Sequence, residues 1–327
     1  MPPFASPLLG LAPMAGLTDS AFRRLVKRHG ACGHVVSEMV SSEALVRGLG
    51  RSLEYLAFTE EERPVSIQIF GGDPARMAEA ARLVEARGAD GVDVNMGCPV
   101  PKIARHSAGC GLMREPAHAA AIVSAMARAV AIPVTVKMRA GWSAREVNAP
   151  EIARRVADAG AAAVTVHGRT AEQAYRGQAD WDLVARVAQA VSIPVFGSGD
   201  LMDAQQIVDR LRTTPVAGVL VGRGILHNPW LIAQAADELA GRPARVVAAG
   251  DRRRFLLEYI DLLAAEASGA YRPDVHDRWV VNKLRALCGY YTKGFEGGPR
   301  LRAAVNQAPS VAALRALIEE FFGAPAA

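Results

Sequence analysis

The sequence predicts an α/β protein, a (β/α)8 or TIM barrel followed by a small C-terminal all-helical domain. Three observations lead to this prediction. Eight short, β-branched apolar runs recur in the first 241 residues, stretches rich in Ala, Leu and Arg separate them, and no strand-like run follows residue 242. Such alternation is typical of parallel α/β folds. A doubly wound open sheet is the alternative, but no GxGxxG follows the first strand.

Each predicted strand is a nearly continuous apolar run and not a strict alternation of apolar and polar residues. Such runs are typical of strands covered on both faces, as the strands of a barrel ringed by helices are. The eight runs lie at residues 8–12, 34–39, 65–70, 91–95, 133–138, 163–167, 194–198 and 218–222.

The stretches between the strands carry helix start and stop signals. In DPARMAEAARLVEARG, Asp73 is placed to cap a helix, Pro74 takes the first helical position and Gly88 ends it. The stretch PEIARRVADAG ends in the same way at Gly160. We therefore expect helices between the strands.

From about residue 242 the pattern changes to amphipathic helices, RRRFLLEYIDLLAAEA and RWVVNKLRALCGYYTK. In the second helix Arg278 and Arg285 share the side opposite an apolar stripe. That stripe consists of Val280, Leu284, Leu287, Cys288 and Tyr291. We predict a catalytic barrel domain at residues 1–241 and a helical domain at residues 242–327.

Most of the net charge of +5 lies in the second predicted domain. Residues 242–327 carry 13 basic and 9 acidic side chains, whereas residues 1–241 carry 25 and 24. This excess is expected of a region that meets a polyanion, and a solvated helix face would show the same composition.

The sequence gives no indication of a membrane, a secretory signal or a metal site. No run reaches the roughly 20 uninterrupted apolar residues of a membrane span, and the first residues lack the basic start of a signal peptide. The four cysteines form no CxxC pair, so a reducing cytoplasm is the expected location. Cys98, His106 and Cys110 lack the paired spacing of zinc ligands.

Active sites of such barrels lie at the C-terminal ends of the strands, and glycine-containing loops follow the seventh and eighth predicted strands. One loop contains Ser198, Gly199 and Asp200, and the other contains Gly222 and Arg223. Glycines let backbone N–H groups approach an anion, and Arg223 adds positive charge. The sequence therefore predicts a phosphorylated ligand, with ordinary turn glycines as the alternative.

Three polar side chains on other strands indicate the nature of this ligand. Lys137 and Gln68 interrupt apolar strands, and His167 ends the strand after that of Lys137. A buried cation needs a partner, which is either a neighbouring carboxylate or an electron-rich ligand. His167 alone is more typical of a satisfied core residue. Together with a phosphate pocket, the three resemble a site for flavin mononucleotide (FMN), whose reduced ring is stabilised by a nearby cation.

Eight motifs, from about residue 8 to residue 232, resemble those of the tRNA-dihydrouridine synthases, and most closely the bacterial B-type branch. They are APMAGLTDSAFRRL, VSEMVSSEAL, IQIFGGDP, VNMGCPVPKI, GCGLMREP, VTVKMRAGW, VTVHGRTAEQAYRGQADW and VGRGILHNPW. The resemblance implies an enzyme that uses FMN to reduce uridine to dihydrouridine in tRNA and NADPH to reduce the flavin again.

The resemblance also implies residue roles. Cys98 corresponds to the proton donor and Asn95 to a residue that touches the uracil. The residues expected to hold the flavin are Pro13, Met14, Ala15, Gln68, Lys137, His167, Ser198, Gly199, Asp200, Gly222 and Arg223. The family usually has Asn where this chain has Ser198, a shorter side chain that we expect to contact the flavin phosphate less directly.

The tRNA is expected to contact both predicted domains. Arg139 and Arg169, which follow the fifth and sixth predicted strands, are candidates at the barrel mouth. On the helical tail, we expect basic side chains to bind phosphates in a sequence-independent way. The candidates are Arg278, Lys283 and Arg285, with Arg272, Lys293, Arg300 and Arg302 as further ones. We expect no obligate protein partner.

A thiol suits the chemistry that the resemblance implies for Cys98. Hydride transfer to uracil C6 leaves an enolate that must be protonated at C5, and a thiol with an ordinary pKa of about 8.5 keeps its proton at pH 7. Pro99 keeps Cys98 extended. The glycine-dotted segment up to Pro116 is predicted to be a lid over a flipped-out base. The alternative is a buried core cysteine.

Three other functions remain open at this point. A flavin barrel of the dihydroorotate or dihydropyrimidine dehydrogenase type would act on a free pyrimidine and would need no basic tail. A non-catalytic RNA-binding protein would lack the flavin. A flavin-free phosphate-binding isomerase would leave Cys98 and the tail without a role.

Overall fold

The computed structural model describes residues 7–104, 106–266 and 273–323, with the backbone alone at 51, 273 and 274. It confirms the predicted fold, a closed parallel barrel with surrounding helices and further helices at the C-terminus. The strands are β1 (Leu8–Leu11), β2 (His34–Val36), β3 (Val40–Ser41), β4 (Val65–Phe70), β5 (Gly91–Met96), β6 (Val134–Arg139), β7 (Ala163–His167), β8 (Val195–Ser198) and β9 (Gly218–Val221).

The helices of the barrel region include several short ones in the loops. They are α1 (Ser20–Gly30), α2 (Ser42–Val46), α3 (Gly50–Glu54), α4 (Pro74–Ala86), α5 (Pro101–Ala104), α6 (Pro116–Ala127), α7 (Ala149–Asp158), α8 (Trp181–Ala190), α9 (Ala204–Thr213), α10 (Arg223–His227) and α11 (Leu231–Leu239). Two 3₁₀ helices span Glu60–Glu62 and Gly109–Arg114. The C-terminal region contains α12 (Ala249–Glu266), α13 (Pro273–Tyr291), α14 (Gly298–Gln307) and α15 (Val311–Gly323).

The barrel closes because β1 pairs with both β2 and β9, and β2 in turn pairs with β4. All of these pairings are parallel, and the remaining strands follow in chain order around the ring. The C-terminal ends of the strands, and the loops that follow them, therefore meet at one mouth.

The second predicted strand, 34–39, is interrupted in the structure. It forms β2 and then, after a break at residues 37–39, the two-residue β3. The hydroxyl of Ser37 accepts a hydrogen bond from the backbone N–H of Gln68 at 3.0 Å. This side-chain contact takes the place of a backbone pairing, so the ladder with β4 stops and resumes at Val40.

Alternate residues of each strand face the interior of the barrel. On β1, Leu9 and Leu11 belong to the large core between strands and helices, whereas Leu8 belongs to a smaller apolar cluster with Phe196 of β8 and Leu220 of β9. Both faces of the strands are buried, as their continuous apolar runs predict.

The predicted helix signals are confirmed. Asp73 accepts a hydrogen bond from the N–H of Arg76 at 2.7 Å and caps α4, which has Pro74 as its first residue. Gly88 and Gly160 follow α4 and α7 with φ angles of +79° and +104°, which favour glycine because its backbone tolerates positive φ. Among the described residues, no helix is long and apolar enough to cross a membrane.

The C-terminal helices share the hydrophobic core of the barrel. Phe255 of α12 is fully buried, and its ring lies 6.0 Å from that of Phe22 in α1 and 5.5 Å from that of Trp230. All five residues of the predicted stripe on α13 are buried. The helices are therefore packed tightly on one side of the barrel, and the domain boundary at residue 241 stays a prediction.

Polar contacts reinforce this packing. Asp19, which caps α1, accepts a hydrogen bond from the Tyr259 hydroxyl at 2.9 Å and lies 3.0 Å from the ammonium group of Lys283. Lys283 is also 3.8 Å from Glu38. Glu38 accepts a hydrogen bond from the N–H of Gly16, so α12 and α13 contact the loops that follow β1 and β2.

Replacement of Phe255 by alanine is expected to destabilise the whole chain. Removal of a buried phenylalanine leaves a cavity that costs about 3–5 kcal/mol, and the cavity would lie between barrel and tail. Urea unfolding of wild type and variant measures the free energy of unfolding. The control is Val246→Ala at a position that is 92% exposed, expected within about 0.5 kcal/mol of wild type. A loss below about 1 kcal/mol for Phe255→Ala would contradict a shared core.

Candidate active site

Polar side chains occupy the interior of the barrel close to its mouth. The strand register places Asn95 beside Lys137, and Arg139 beside His167. Because paired residues of adjacent parallel strands point to the same face, these side chains converge. The interior polar positions of β4 to β7 are Ser66, Gln68, Asp93, Asn95, Thr135, Lys137, Arg139, Thr165 and His167.

A pocket lies at this mouth. Nine of the residues predicted to bind a cofactor line it: Pro13, Met14, Lys137, His167, Ser198, Gly199, Asp200, Gly222 and Arg223. Ala15 and Gln68, also predicted, are not among the lining residues. Tyr175, Leu201 and Met202 line the pocket as well and were not predicted.

The loop after β8 is held from beneath by a buried arginine. Both oxygens of Asp200 accept hydrogen bonds from the Arg169 guanidinium, at 2.8 and 2.7 Å, and Oδ2 also accepts one from the N–H of Ala179 at 2.8 Å. These donors lower the pKa of Asp200, against the opposing effect of burial. Gly199 has a φ of +126°, and a Cβ there would lie 2.6 Å from that of Ala179. Only glycine fits this close approach.

Arg223 reaches over the same loop. One of its nitrogens lies 3.5 Å from Asp200, and its guanidinium lies 4.4 Å from the ring centre of Tyr175, a cation–π contact. Since Arg169 already neutralises Asp200, Arg223 retains positive charge for an anion in the pocket. An aromatic residue among polar ones in AEQAYRGQADW was the available sequence signal for Tyr175.

Lys137 is an unpaired cation inside the barrel. In the described part of the chain, no carboxylate lies within ion-pair distance of its ammonium group, so the neighbouring-carboxylate alternative is not supported. Burial, followed by the charge of Arg139, lowers the pKa of Lys137 to about 8, against the opposing effect of Asp93. An electron-rich ligand would restore the charged form.

His167 carries a buried nitrogen without a partner. Its Nε2 has no hydrogen-bond partner among the residues the structure describes. Burial and the positive charges of Lys137 and Arg139 lower the pKa of His167 to about 2, so the ring is neutral at pH 7. A neutral imidazole with an unsatisfied nitrogen at a pocket wall is suited to a polar ligand edge.

Cys98 lies just beyond β5 and is partly exposed, whereas Cys32, Cys110 and Cys288 are buried. Asn95 Oδ1 accepts hydrogen bonds from the backbone N–H groups of Gly97 at 3.1 Å and Cys98 at 2.9 Å. The carbonyl of Cys98 accepts one from the N–H of Cys110 at 3.0 Å. The Cys98 backbone is therefore held on both sides.

The segment after Cys98, which is predicted to be a lid, contains regular structure. It contains α5 and the 3₁₀ helix Gly109–Arg114, and residues 108–113 are buried. Asn148 donates a hydrogen bond to the carbonyl of Met113 at 2.7 Å. Gly109 and Gly111 permit close backbone contacts, since a Cβ there would lie within 2.8 Å of the carbonyls of Cys98 and Ala104. Residues 99–102, 106, 114 and 115 of the segment are exposed.

Arg139 and Arg169 are buried and bonded to the protein. Arg139 donates to the carbonyls of Gly97 at 2.9 Å and Thr170 at 3.0 Å, and so joins the loops after β5 and β7. Arg169 donates to Asp200 and to the carbonyl of Arg176 at 3.1 Å. Their predicted contact with a tRNA substrate stays a prediction; the structure shows loop contacts.

The predicted tail residues differ from one another. Arg278 is exposed, whereas Lys283 is only 19% exposed and paired with Asp19. Arg285 donates to the carbonyls of Val305 at 3.3 Å and Asn306 at 2.5 Å at the end of α14. Of the further candidates, Lys293 and Arg300 are exposed, Arg302 donates to Thr292, and Arg272 lies outside the described residues.

No arrangement of three or more His, Cys, Asp or Glu side chains suited to a metal ion occurs within 7–104, 106–266 and 273–323. The chemistry of the pocket is instead that of a cationic, glycine-lined site with one neutral imidazole.

The family model named Dihydrouridine synthase (Dus) matches residues 10–320. The chain belongs to the dihydrouridine synthase family. It is 38% identical over 323 residues to "tRNA-dihydrouridine synthase B" of Xanthomonas campestris pv. campestris, covering 98% of this chain and 94% of the relative. It is 40% identical over 314 residues to a "Probable tRNA-dihydrouridine synthase" of Rhodobacter capsulatus, covering 95% and 94%.

These matches confirm the resemblance seen in the eight motifs and the enzyme class it implies. A third dihydrouridine synthase relative, from Rhizobium leguminosarum bv. phaseoli, is 44% identical over 230 residues, with 69% of this chain and 72% of the relative covered. The family model continues to residue 320, so the helical tail belongs to the family's shared sequence as the barrel does.

The lowered pKa of Lys137 predicts a pH-dependent stability. Between the folded pKa of about 8 and the ordinary value of about 10.4, the unfolded chain binds more protons, so stability rises with pH in this window. Relative to Lys137→Met, the free energy of unfolding of the ligand-free wild type is expected to rise by up to about 3 kcal/mol between pH 7 and pH 10.5.

Urea unfolding of both proteins across this range measures the difference, and subtraction removes the titration of other groups. A constant difference between wild type and Lys137→Met would show that Lys137 is solvated or paired.

Proposed function

We propose that this protein reduces uridine to 5,6-dihydrouridine in tRNA, in the cytoplasm, with FMN as cofactor and NADPH as reductant. The family membership and the printed names of its relatives support a tRNA substrate. The observation that carries the FMN proposal is that one pocket contains both the ammonium group of Lys137, which has no carboxylate partner among the described residues, and the unpartnered Nε2 of His167.

The pocket residues fit such a cofactor. The flavin ring would lie against Pro13 and Met14, with Lys137 and His167 at its polar edge. Ala15 and Gln68 are also proposed to contact the flavin, although they do not line the pocket. The phosphate would lie at two loops, one with Ser198, Gly199 and Asp200 and the other with Gly222 and Arg223. Because Asp200 is already paired with Arg169, the positive charge of Arg223 would be available to the phosphate. When bound, FMN supplies the hydride that uracil C6 receives, after reduction by NADPH.

Cys98 completes the reduction in this proposal. Its Sγ transfers a proton to C5 of the substrate enolate, so that one hydride and one proton are added across the double bond. Asn95 binds the uracil beside Cys98. Asn95 Oδ1 accepts hydrogen bonds from the N–H groups of Gly97 and Cys98, which supports a position of Asn95 close to Cys98.

The tail favours a tRNA substrate over a free pyrimidine. Arg278, Lys293 and Arg300 are exposed on helices or turns that a small-molecule dehydrogenase would not require. Lys283 and Arg285, also proposed for the tRNA, carry charges that are partly used within the protein, so we expect smaller contributions from them. Arg139 and Arg169 are proposed to act at the barrel mouth.

The purified protein tests the proposed function directly. A yellow flavin spectrum and NADPH oxidation that depends on unmodified tRNA, and not on free uracil or dihydroorotate, are expected. Cys98→Ala is expected to retain flavin and tRNA binding but to lose about 10²–10⁴-fold in turnover, the range for loss of a general acid. Cys288→Ala, which removes a buried thiol from the tail, is the control and retains turnover.

Oxidation with free pyrimidines alone would support the dehydrogenase alternative. A colourless protein that binds tRNA would support a non-catalytic role, and full turnover of Cys98→Ala would remove Cys98 as the acid.

Charge reversal of the exposed basic residues of the tail tests whether the tail binds tRNA. The triple variant Arg278→Glu, Lys293→Glu and Arg300→Glu is expected to weaken tRNA binding at least about tenfold and to flatten its salt dependence, because phosphate contacts release counterions. The same charge change at Arg154, Arg186 and Arg212, which are exposed on α7, α8 and α9, is the matched control. Filter binding over a range of salt concentrations measures both, and equal effects of the two triples would exclude a specific role of the tail.

A further inference from the structure

A buried carboxylate inside the barrel has no role in the mechanism above. Asp93 of β5 is 3% exposed and does not line the pocket. It was not singled out in the sequence. Its neighbours are all interior side chains of adjacent strands, and they connect it to the backbone of Cys98.

Three hydrogen bonds form this connection. Asp93 Oδ2 accepts one from Gln68 Nε2 at 2.7 Å, and Gln68 Oε1 accepts one from Asn95 Nδ2 at 2.7 Å. Asn95 Oδ1 then accepts one from the N–H of Cys98 at 2.9 Å. We call Asp93, Gln68 and Asn95 the amide relay.

The direction of the amide relay is determined at both ends. The N–H groups of Gly97 and Cys98 can only donate, so the atom of Asn95 that faces them must be oxygen and the other must be nitrogen. That nitrogen requires an oxygen of Gln68 opposite it. The remaining Gln68 atom is therefore nitrogen, and it needs an acceptor, which Asp93 supplies.

This direction does not depend on the protonation state of Asp93. Burial raises the pKa of Asp93, against the effect of its bonds to Gln68 and Thr135. The second oxygen of Asp93 lies 2.6 Å from the Thr135 hydroxyl. That hydroxyl donates to a carboxylate or accepts from a carboxylic acid, while Oδ2 accepts from Gln68 in both states.

We propose that Asp93 is a positioning residue, which orients the amide of Asn95 through Gln68 and thereby places Cys98 for proton transfer. This proposal rests on the proposed function for its catalytic meaning. Asn95 Nδ2 also lies 3.4 Å from the sulfur of Met39, a weak acceptor for its second hydrogen. The relay thus leaves Asn95 a donor that a substrate carbonyl could take up.

Two variants of Asp93 separate orientation from charge. Asp93→Asn loses the charge but still offers an oxygen to Gln68, because its amide nitrogen can donate to the Thr135 hydroxyl. Asp93→Leu has a similar size and offers no acceptor. Gln68→Met interrupts the relay one step later and does so without removing a charge, which keeps the test valid if Asp93→Leu does not fold.

Amide hydrogen exchange at Gly97 and Cys98 measures the relay in the protein as purified, without tRNA. Loss of a bond worth about 1 kcal/mol predicts exchange roughly five- to tenfold faster in Asp93→Leu and Gln68→Met, and within about twofold of wild type in Asp93→Asn. Exchange in β7 and β8 is the internal control for global destabilisation. The rate of Cys98 alkylation, with the other three cysteines buried, is expected to change in the same two variants.

In turnover, Asp93→Leu is expected to lower kcat while the Kd for tRNA stays unchanged, and Asp93→Asn to restore most of kcat. Equal exchange in Asp93→Asn and Asp93→Leu would overturn the proposal, because the charge next to Lys137 would then be the cause. Unchanged exchange in Gln68→Met would also overturn it. Absence of turnover in the wild type would contradict the proposed function but would leave the exchange result interpretable.

Discussion

The closure of eight parallel strands into a barrel imposes one constraint on which the site depends: every second strand residue points into an interior that water reaches only from the ends. Apolar side chains such as Leu8, Phe196 and Leu220 fill part of this space. Towards the mouth, the same alternation directs Asn95, Lys137 and His167 into one volume. Buried polar atoms there, such as Nε2 of His167, need partners within the protein or in a ligand.

The charges at the mouth do not balance within the protein. Arg169 is neutralised by Asp200, and Arg139 is bonded to backbone carbonyls, whereas Lys137 has only the more distant influence of Asp93. Burial, together with this excess of positive charge, lowers the pKa of His167. A ligand with a phosphate and an electron-rich ring would compensate both the cations and the unpartnered imidazole nitrogen, which is the physical basis for the FMN assignment.

The helical tail contributes to the barrel mouth by packing as well as by charge. Tyr259 and Lys283 reach Asp19, the cap of α1, and Lys283 approaches Glu38, which binds the loop after β1. That loop carries Met14 at the pocket. The tail therefore contacts the loops that form the site. A basic side chain on a tail helix, such as Lys283, can serve this packing and is not by itself a phosphate contact.

Local patterns predicted most of the fold and the general position of the site. The eight apolar runs, the cap at Asp73 and the stripe on α13 depend on interactions within a few residues, so they can be recognised in the sequence. Nine of the eleven residues that the family resemblance implies for the cofactor line one pocket, because they lie at or near the C-terminal strand ends that such a barrel brings together. These features were determined by the sequence alone.

The partners of individual polar groups were decided only by the tertiary structure. Lys283 pairs with Asp19, which lies far away in the chain, and Arg285 binds the end of α14. Asp93 connects to Cys98 through Gln68 of the neighbouring strand β4 and then Asn95. No local periodicity records which side chains meet across a barrel or between helices. Hydrogen bonds and ion pairs act over about 3–4 Å in space, and that distance exists only once the chain has folded.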